Sequence, residues 1–283
     1  MRLLVLTTLT MIAFAANSVL NRLALADGAI GPSAFAALRL GSGAVALAAL
    51  VALRGRRLPL AESGRWAAVA ALAVYVLGFS YAYLSLDAGI GALILFGAVQ
   101  ITMFAGAVLA REPVPPRRWA GAALAFAGLA WLFWPGGHDA PAPLGAALMA
   151  AAGVGWGLYS LRGRGASDSL AATAANFALA VPLGLAALLL VPDGAPLTAP
   201  GIGLALTSGV VTSGLGYALW YRVLPELPAT IAAVAQLTVP LIAMAGGALF
   251  LGETLTLRFT GAALLVLGGI GLSLLRLNRS GSR

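Results

Sequence analysis

The chain has 283 residues, 61% hydrophobic and 9% charged, with a mean hydropathy of +0.97. A soluble globular protein carries roughly a quarter charged residues, and no fold of this length hides so much apolar surface from water, so a bilayer is the expected solvent. The formal charge is +8, all 17 basic residues are arginine, and there is no cysteine, which excludes disulfides and thiolate chemistry.

About 20 apolar residues cross a bilayer as a helix. In chain order that criterion predicts ten such segments: 3–25, 32–53, 66–86, 89–109, 119–134, 144–161, 170–191, 201–224, 228–250 and 258–277. Turn-forming residues separate several of them: Asp27-Gly28, Pro135-Gly136-Gly137, Pro192-Asp193-Gly194 and Pro225-Glu226-Leu227-Pro228. No gap between them is long enough to hold a soluble domain. The first segment, with Arg2 before it and Ala13-Phe14-Ala15 inside it, also has the form of a signal peptide. Its residues 14–18 align with Trp156-Gly157-Leu158-Tyr159-Ser160, so removal would leave the sixth helix without a counterpart; retention is expected.

The arginines fall on alternate gaps. Arg2, Arg54, Arg56, Arg57, Arg65, Arg111, Arg117, Arg118, Arg162, Arg164, Arg222, Arg276, Arg279 and Arg283 share one side, which the positive-inside rule makes cytoplasmic. Arg258 lies in a loop on the other side, and Arg22 near a helix end there. The expectation is a multi-pass protein of the bacterial inner membrane with both termini in the cytoplasm. The basic balance therefore reads as orientation rather than nucleic-acid binding.

The second half repeats the first. Glu112 matches Glu253, Gly121-Ala122-Ala123-Leu124 matches Gly261-Ala262-Ala263-Leu264, and Gly128 matches Gly268. Five helices per half is an odd number, so the second half inserts upside down relative to the first. The expected fold is all-α: ten transmembrane helices in two inverted five-helix repeats, 1–137 and 138–283, around a central cavity.

These features resemble the EamA branch of the drug/metabolite transporter superfamily. The resemblance is carried by Ala13-Phe14-Ala15-Ala16-Asn17-Ser18, Pro32 followed by Arg39, Val239-Pro240-Leu241, and Leu251-Gly252-Glu253-Thr254 running into Gly261-Ala262-Ala263-Leu264. It covers nearly the whole chain. The first half departs from the pattern in having Arg111-Glu112-Pro113 for the usual Gly-Glu and no proline in its fourth helix. The resemblance implies export of amino acids or similar small metabolites by alternating access. In size and aromatic content the chain is similar to YddG-type exporters of aromatic amino acids. Hydrophobic drugs or other toxic metabolites are the alternative cargo.

No catalytic or metal-binding constellation is visible, and neither cofactor nor obligate protein partner is implied; the expected partners are a small molecule and lipid. Polar groups at membrane depth are costly and face cavities or other helices. Asn17, Gln100, Asn176 and Gln236 are therefore the candidates, either for hydrogen bonds between helices or for a site, and Asn17, Gln100 and Gln236 are the expected binding residues. Tyr75, Phe79 and Tyr83 share a face of the third helix at i, i+4, i+8, as Tyr217 and Tyr221 do on the eighth. The repeat superimposes Phe79 on Tyr217 and Tyr83 on Tyr221, and Trp156 and Tyr159 add aromatic surface from the sixth. Phe79, Tyr83, Trp156, Tyr159, Tyr217 and Tyr221 are thus the expected walls of a side-chain pocket. Lipid-facing packing and interface belts are the competing reading of such rings. Arg39 either snorkels, pairs with Asp27 or Asp87, or attracts a substrate carboxylate. Pro182 and Pro240 are candidate hinges or static kinks. No acid lies convincingly at mid-membrane, so movement down a gradient without a coupling proton is expected.

Overall fold

The computed structural model describes residues 1–111, 114–134, 141–163, 166–191, 193–227 and 235–274. Among them the chain forms ten helices: α1 Arg2–Ala26, α2 Pro32–Leu53, α3 Arg65–Ala82, α4 Ala88–Leu109, α5 Pro116–Phe133, α6 Pro143–Gly163, α7 Ser169–Leu190, α8 Ala199–Glu226, α9 Thr238–Leu251 and α10 Leu257–Leu274. Seven of these, α1 to α4 and α6 to α8, are each long and apolar enough to cross a membrane. Part of the expected ninth segment, residues 228–234, lies outside the described residues.

Local chemistry sets many of the boundaries. Proline occupies the first helical position of α2 and α5, where a missing N–H costs nothing. The Asp168 side chain caps α7 by accepting from Ala171 N at 3.1 Å, and Thr198 caps α8 by accepting from Gly201 N at 3.2 Å. Gly252, at φ +66°, ends α9 in the left-handed conformation that glycine adopts without penalty. Pro182 sits inside an unbroken α7 with its ring exposed. Pro240 is the third residue of α9, within the first turn where its lack of a donor is harmless. Residues 235–236 are also helical and 237 is a turn, so the helical run is interrupted just before Pro240.

One departure from the expected pattern is in α8. Its residues Ser208–Leu215 form a π-helical stretch between two α-helical parts. Such widened turns are rare and gather at functional sites.

The helix neighbours obey a simple exchange rule. α3 packs on α6 as α8 packs on α1; α4 packs on α6 as α9 packs on α1; α2 packs on α8 as α7 packs on α3. The pairs α2–α7, α4–α9 and α5–α10 map onto themselves. Replacing each helix by the one five places later thus preserves the main packing scheme. Close approach depends on glycine: a Cβ on Gly155 of α6 would lie 2.7 Å from Ala71 O and 2.9 Å from Tyr75 N of α3. Small residues provide this intimacy where lipid offers no hydrophobic drive between helices. The outer surface keeps a belt of exposed apolar side chains, including Val45, Phe126, Leu189, Phe250 and Leu264, which acyl chains would cover.

Loops of like parity meet. At one end Thr198 N and Oγ1 donate to Ala29 O, and Ser33 N and Ala34 N donate to Asp193. At the same end Arg22 donates to Tyr83 O and lies 3.6 Å from both Asp87 and Glu253. At the opposite end Arg56 pairs with Asp168 at 2.5 Å. The arginine-rich and arginine-poor gaps of the sequence are therefore opposite ends of one bundle.

Candidate functional site

A cavity of about 1050 Å³ runs into the bundle from its arginine-rich end. Its mouth is lined by Glu62, Arg65, Arg117, Arg118 and Arg162. Deeper in, Trp156, Tyr159, Tyr217, Trp220 and Tyr221 form aromatic walls, with Gln100, Thr173, Asn176 and Gln236 between them. Trp156 stacks on both Tyr159 and Tyr217, at centroid distances of 5.5 and 5.4 Å and interplanar angles of 21° and 16°. Offset stacking of this kind is worth about 0.5–1.5 kcal/mol per pair beyond the area buried. The Trp156–Tyr217 stack joins α6 to α8, two helices of the second half.

A polar ladder holds the walls. Asn176 Nδ2 donates to Tyr159 Oη at 3.3 Å, Tyr159 Oη donates to Thr173 Oγ1 at 3.2 Å, and Thr173 donates to Tyr221 Oη at 3.1 Å. Arg65, buried at the start of α3, donates to Asn176 Oδ1 at 2.9 Å and pairs with Glu62.

Behind Trp156, Tyr217 and Gln236, which face both spaces, lies a second cavity of about 30 Å³. Phe14, Asn17, Ser18, Tyr75, Phe79, Leu95, Phe96 and Thr212 complete its lining. Asn17 Oδ1 accepts from Ser208 at 2.5 Å and Thr212 at 3.0 Å, both in the π-helical stretch. Arg39 is fully buried beside this space. Its Nη2 donates to Tyr75 Oη at 2.8 Å and its Nε to Ser213 Oγ at 3.1 Å. The guanidinium carbon lies 5.1 and 5.2 Å from the ring centroids of Tyr75 and Phe79. The same 138-residue offset that relates Phe79 to Tyr217 relates Tyr75 to Ser213, so Arg39 bridges equivalent positions of the two halves.

Past the small cavity the bundle is closed. Tyr83 is fully buried and donates to Ala88 O at 3.3 Å, while both Glu253 carboxylate oxygens lie 2.9 Å from Ala88 N.

The structure brings Asn17, Phe79, Gln100, Trp156, Tyr159, Tyr217, Tyr221 and Gln236 to one or other cavity. Tyr83 lines neither and packs behind Phe79, with ring centroids 4.8 Å apart, at the closed end. The expected i+8 residue of the stripe falls at the end of α3, a turn beyond the cavity. Arg39 neither snorkels nor pairs with Asp27 or Asp87, and no carboxylate lies within ion-pair distance among the described residues. Sequence reasoning did not single out Thr173, Ser208, Thr212, Ser213 or Trp220. Hydroxyls in apolar helices are too common to flag alone. Tyr75 carried a signal, as the first member of the stripe.

An all-helical, apolar-surfaced bundle with an aromatic-walled cavity opening at one end defines a polytopic membrane protein. The EamA-like transporter family model matches residues 1–134 and again 143–275, and the chain belongs to that family. It is thus an integral, multi-pass protein of the drug/metabolite transporter superfamily. It is 51% identical over 275 residues to an uncharacterized protein of Pseudomonas aeruginosa, covering 96% of this chain and 94% of that one. It is also similar in fold to a protein of known crystal structure, with a TM-score of 0.67 at 20% identity, covering 96% of this chain and 99% of the other.

Proposed function

We propose that this protein is a secondary transporter that moves amino acids with aromatic or apolar side chains, or similar small metabolites, out of the cell by alternating access. The observation that carries the reading is the cavity of about 1050 Å³ walled by Trp156, Tyr159, Tyr217 and Tyr221, open at one end and closed at the other. Its volume suits a ligand of amino-acid size with accompanying water, and small-molecule sites combine apolar walls with a few fixed polar groups. The halves 1–137 and 138–283 act as inverted repeats that rock about this site. With the arginine-rich end in the cytoplasm, the protein is a multi-pass component of the inner membrane and stands open inward, with both termini inside. Gln100, Gln236 and Asn17 orient polar groups, Phe79 bounds the inner end of the site, and the four wall residues hold the side chain. Pro182 and Pro240 are retained as candidate hinge positions.

Counterflow in proteoliposomes tests the reading. Labelled phenylalanine should enter faster when the vesicles hold unlabelled phenylalanine, tryptophan or tyrosine, and Trp156→Ala should abolish the acceleration. Acceleration by no amino acid in folded, inserted protein would replace this cargo with another metabolite or a drug.

A further inference from the structure

Donors without acceptors gather at and just behind the small cavity, which Gln236, Ser18 and Tyr217 also line. The Tyr75 hydroxyl accepts from Arg39, so its own proton is left for another partner, and it makes no other hydrogen bond among the described residues. Asn17 has its carbonyl oxygen engaged by Ser208 and Thr212, while its Nδ2 hydrogens have no partner there. Arg39 Nη1 is buried and has no partner among the described residues. Burying a guanidinium with no counter-ion at membrane depth is costly. Among the described residues no aspartate or glutamate lines the space.

The size agrees with the charge. One water needs about 10–15 Å³ of such volume, so about 30 Å³ accommodates two oxygen-sized groups. A carboxylate has that size and supplies the acceptors that Tyr75 and Asn17 lack. The mouth contributes potential of the same sign: Arg65, Arg117, Arg118 and Arg162 line it against Glu62. Such a funnel raises the local concentration of anions.

Among the described residues no acid free of an arginine partner lines either cavity to receive an ammonium. Glu62 already pairs with Arg65 at the mouth. The rings of Tyr75 and Phe79 already carry the Arg39 guanidinium, and those of Trp156, Tyr159 and Tyr217 are stacked on one another.

We infer that the small cavity is the head-group subsite of the transport cavity and that it selects aromatic or apolar carboxylates lacking an ammonium, such as 2-oxo acids, over the corresponding amino acids. Tyr75 and Asn17 make the contacts with the carboxylate. Arg39 is a positioning residue that fixes the Tyr75 hydroxyl and supplies the field. This rests on the cavity being the transport site, as proposed above, and names the charge of what it takes.

Three probes with the same ring separate the possibilities: phenylpyruvate, phenylalanine and phenethylamine, carrying −1, 0 and +1 at pH 7.5. Entry of each into proteoliposomes preloaded with its unlabelled form is measured, with protein-free vesicles subtracted. Phenylpyruvate should exceed phenylalanine by about tenfold, the equivalent of about 1.4 kcal/mol, and phenethylamine should not move. Tyr75→Phe keeps the ring under Arg39 and removes only the hydroxyl, so it should fold and lose most of that preference. Arg39→Lys, which keeps the charge but not the planar fork, should reduce it in part. Phenylalanine entering as fast as phenylpyruvate, or a preference unchanged in Tyr75→Phe, overturns the inference and leaves the transporter reading standing. Movement of none of the three overturns the aromatic cargo itself.

Discussion

Glu253, in the loop between α9 and α10, directs both carboxylate oxygens at the amide nitrogen of Ala88, the first residue of α4, at 2.9 Å. Arg22 lies 3.6 Å from the same carboxylate. One side chain therefore caps a helix of the first half from a loop of the second and closes the arginine-poor end. Burial pushes the Glu253 carboxyl above its ordinary value, as does nearby Asp87, against the opposing pull of the Ala88 amide and Arg22. A raised folded-state value means that the stability it gives is full at low pH and declines as pH rises from the ordinary glutamate range through the raised value. Glu253→Gln keeps an acceptor without the charge. It should match wild type in acid and become the more stable of the two as pH rises through that window. Glu253→Ala, which strands the amide, should cost about 1–2 kcal/mol in acid and less as pH rises through the same window. Thermal unfolding in detergent at pH 5 and pH 8 checks both; a Gln variant that destabilises increasingly with pH would refute the assignment.

Asp168 has the opposite sign. Burial raises its carboxyl, but the Ala171 amide and Arg56 outweigh this and bring it below the ordinary aspartate value. Its contribution is present above the unfolded-state value and is lost as pH falls through the depressed folded one. Asp168→Ala removes the α7 cap and the tie from α2–α3 to α6–α7 at once. The expected loss is about 1 kcal/mol at neutral pH, shrinking below about pH 4. Melting curves over that range decide it; a pH-independent difference would count against the ion pair.

Asn17 separates scaffold from site. Interhelical hydrogen bonds within membranes average about 0.6 kcal/mol, and Thr212 retains its bond to Ser208 O at 2.8 Å when Asn17 is absent. Asn17→Leu should therefore melt within about 1 kcal/mol of wild type while losing most counterflow activity. Equal transport by the variant would show that Asn17 only holds α1 to α8.

Much of the fold is legible because hydropathy in a bilayer is a strong, local signal: α2 is expected over 32–53 and found at Pro32–Leu53. The aromatic walls are legible for a related reason, since i, i+4 spacing reports a shared face. It does not report depth, so Tyr83 belongs to the same stripe as Phe79 yet lies past the cavity. Arg39 shows where a linear reading ends. Its partners Tyr75 and Ser213 come from α3 and α8, and one of them depends on a π-helical stretch that Ser208-Gly209-Val210-Val211-Thr212-Ser213-Gly214-Leu215 does not announce. The repeat pairs Glu112 with Glu253, but only Glu253 lies among the described residues.

Gly155 tests whether the seam between α3 and α6 sets the geometry at Tyr75. A Cβ there meets main-chain atoms of Ala71 and Tyr75 at 2.7 and 2.9 Å, and backbone cannot swing aside as a side chain can. Gly155→Ala must push the helices apart beside the residue that holds the Arg39 guanidinium. Overpacking of this kind costs about 1–3 kcal/mol. Gly271 in α10 has nothing within 4 Å of its Cβ position, so Gly271→Ala should be neutral or gain up to about 1 kcal/mol from helix propensity. The two variants add the same single methyl group. Parallel melting and counterflow measurements should show loss of both stability and transport for the first and of neither for the second; equal behaviour would mean that the seam yields and does not govern the site.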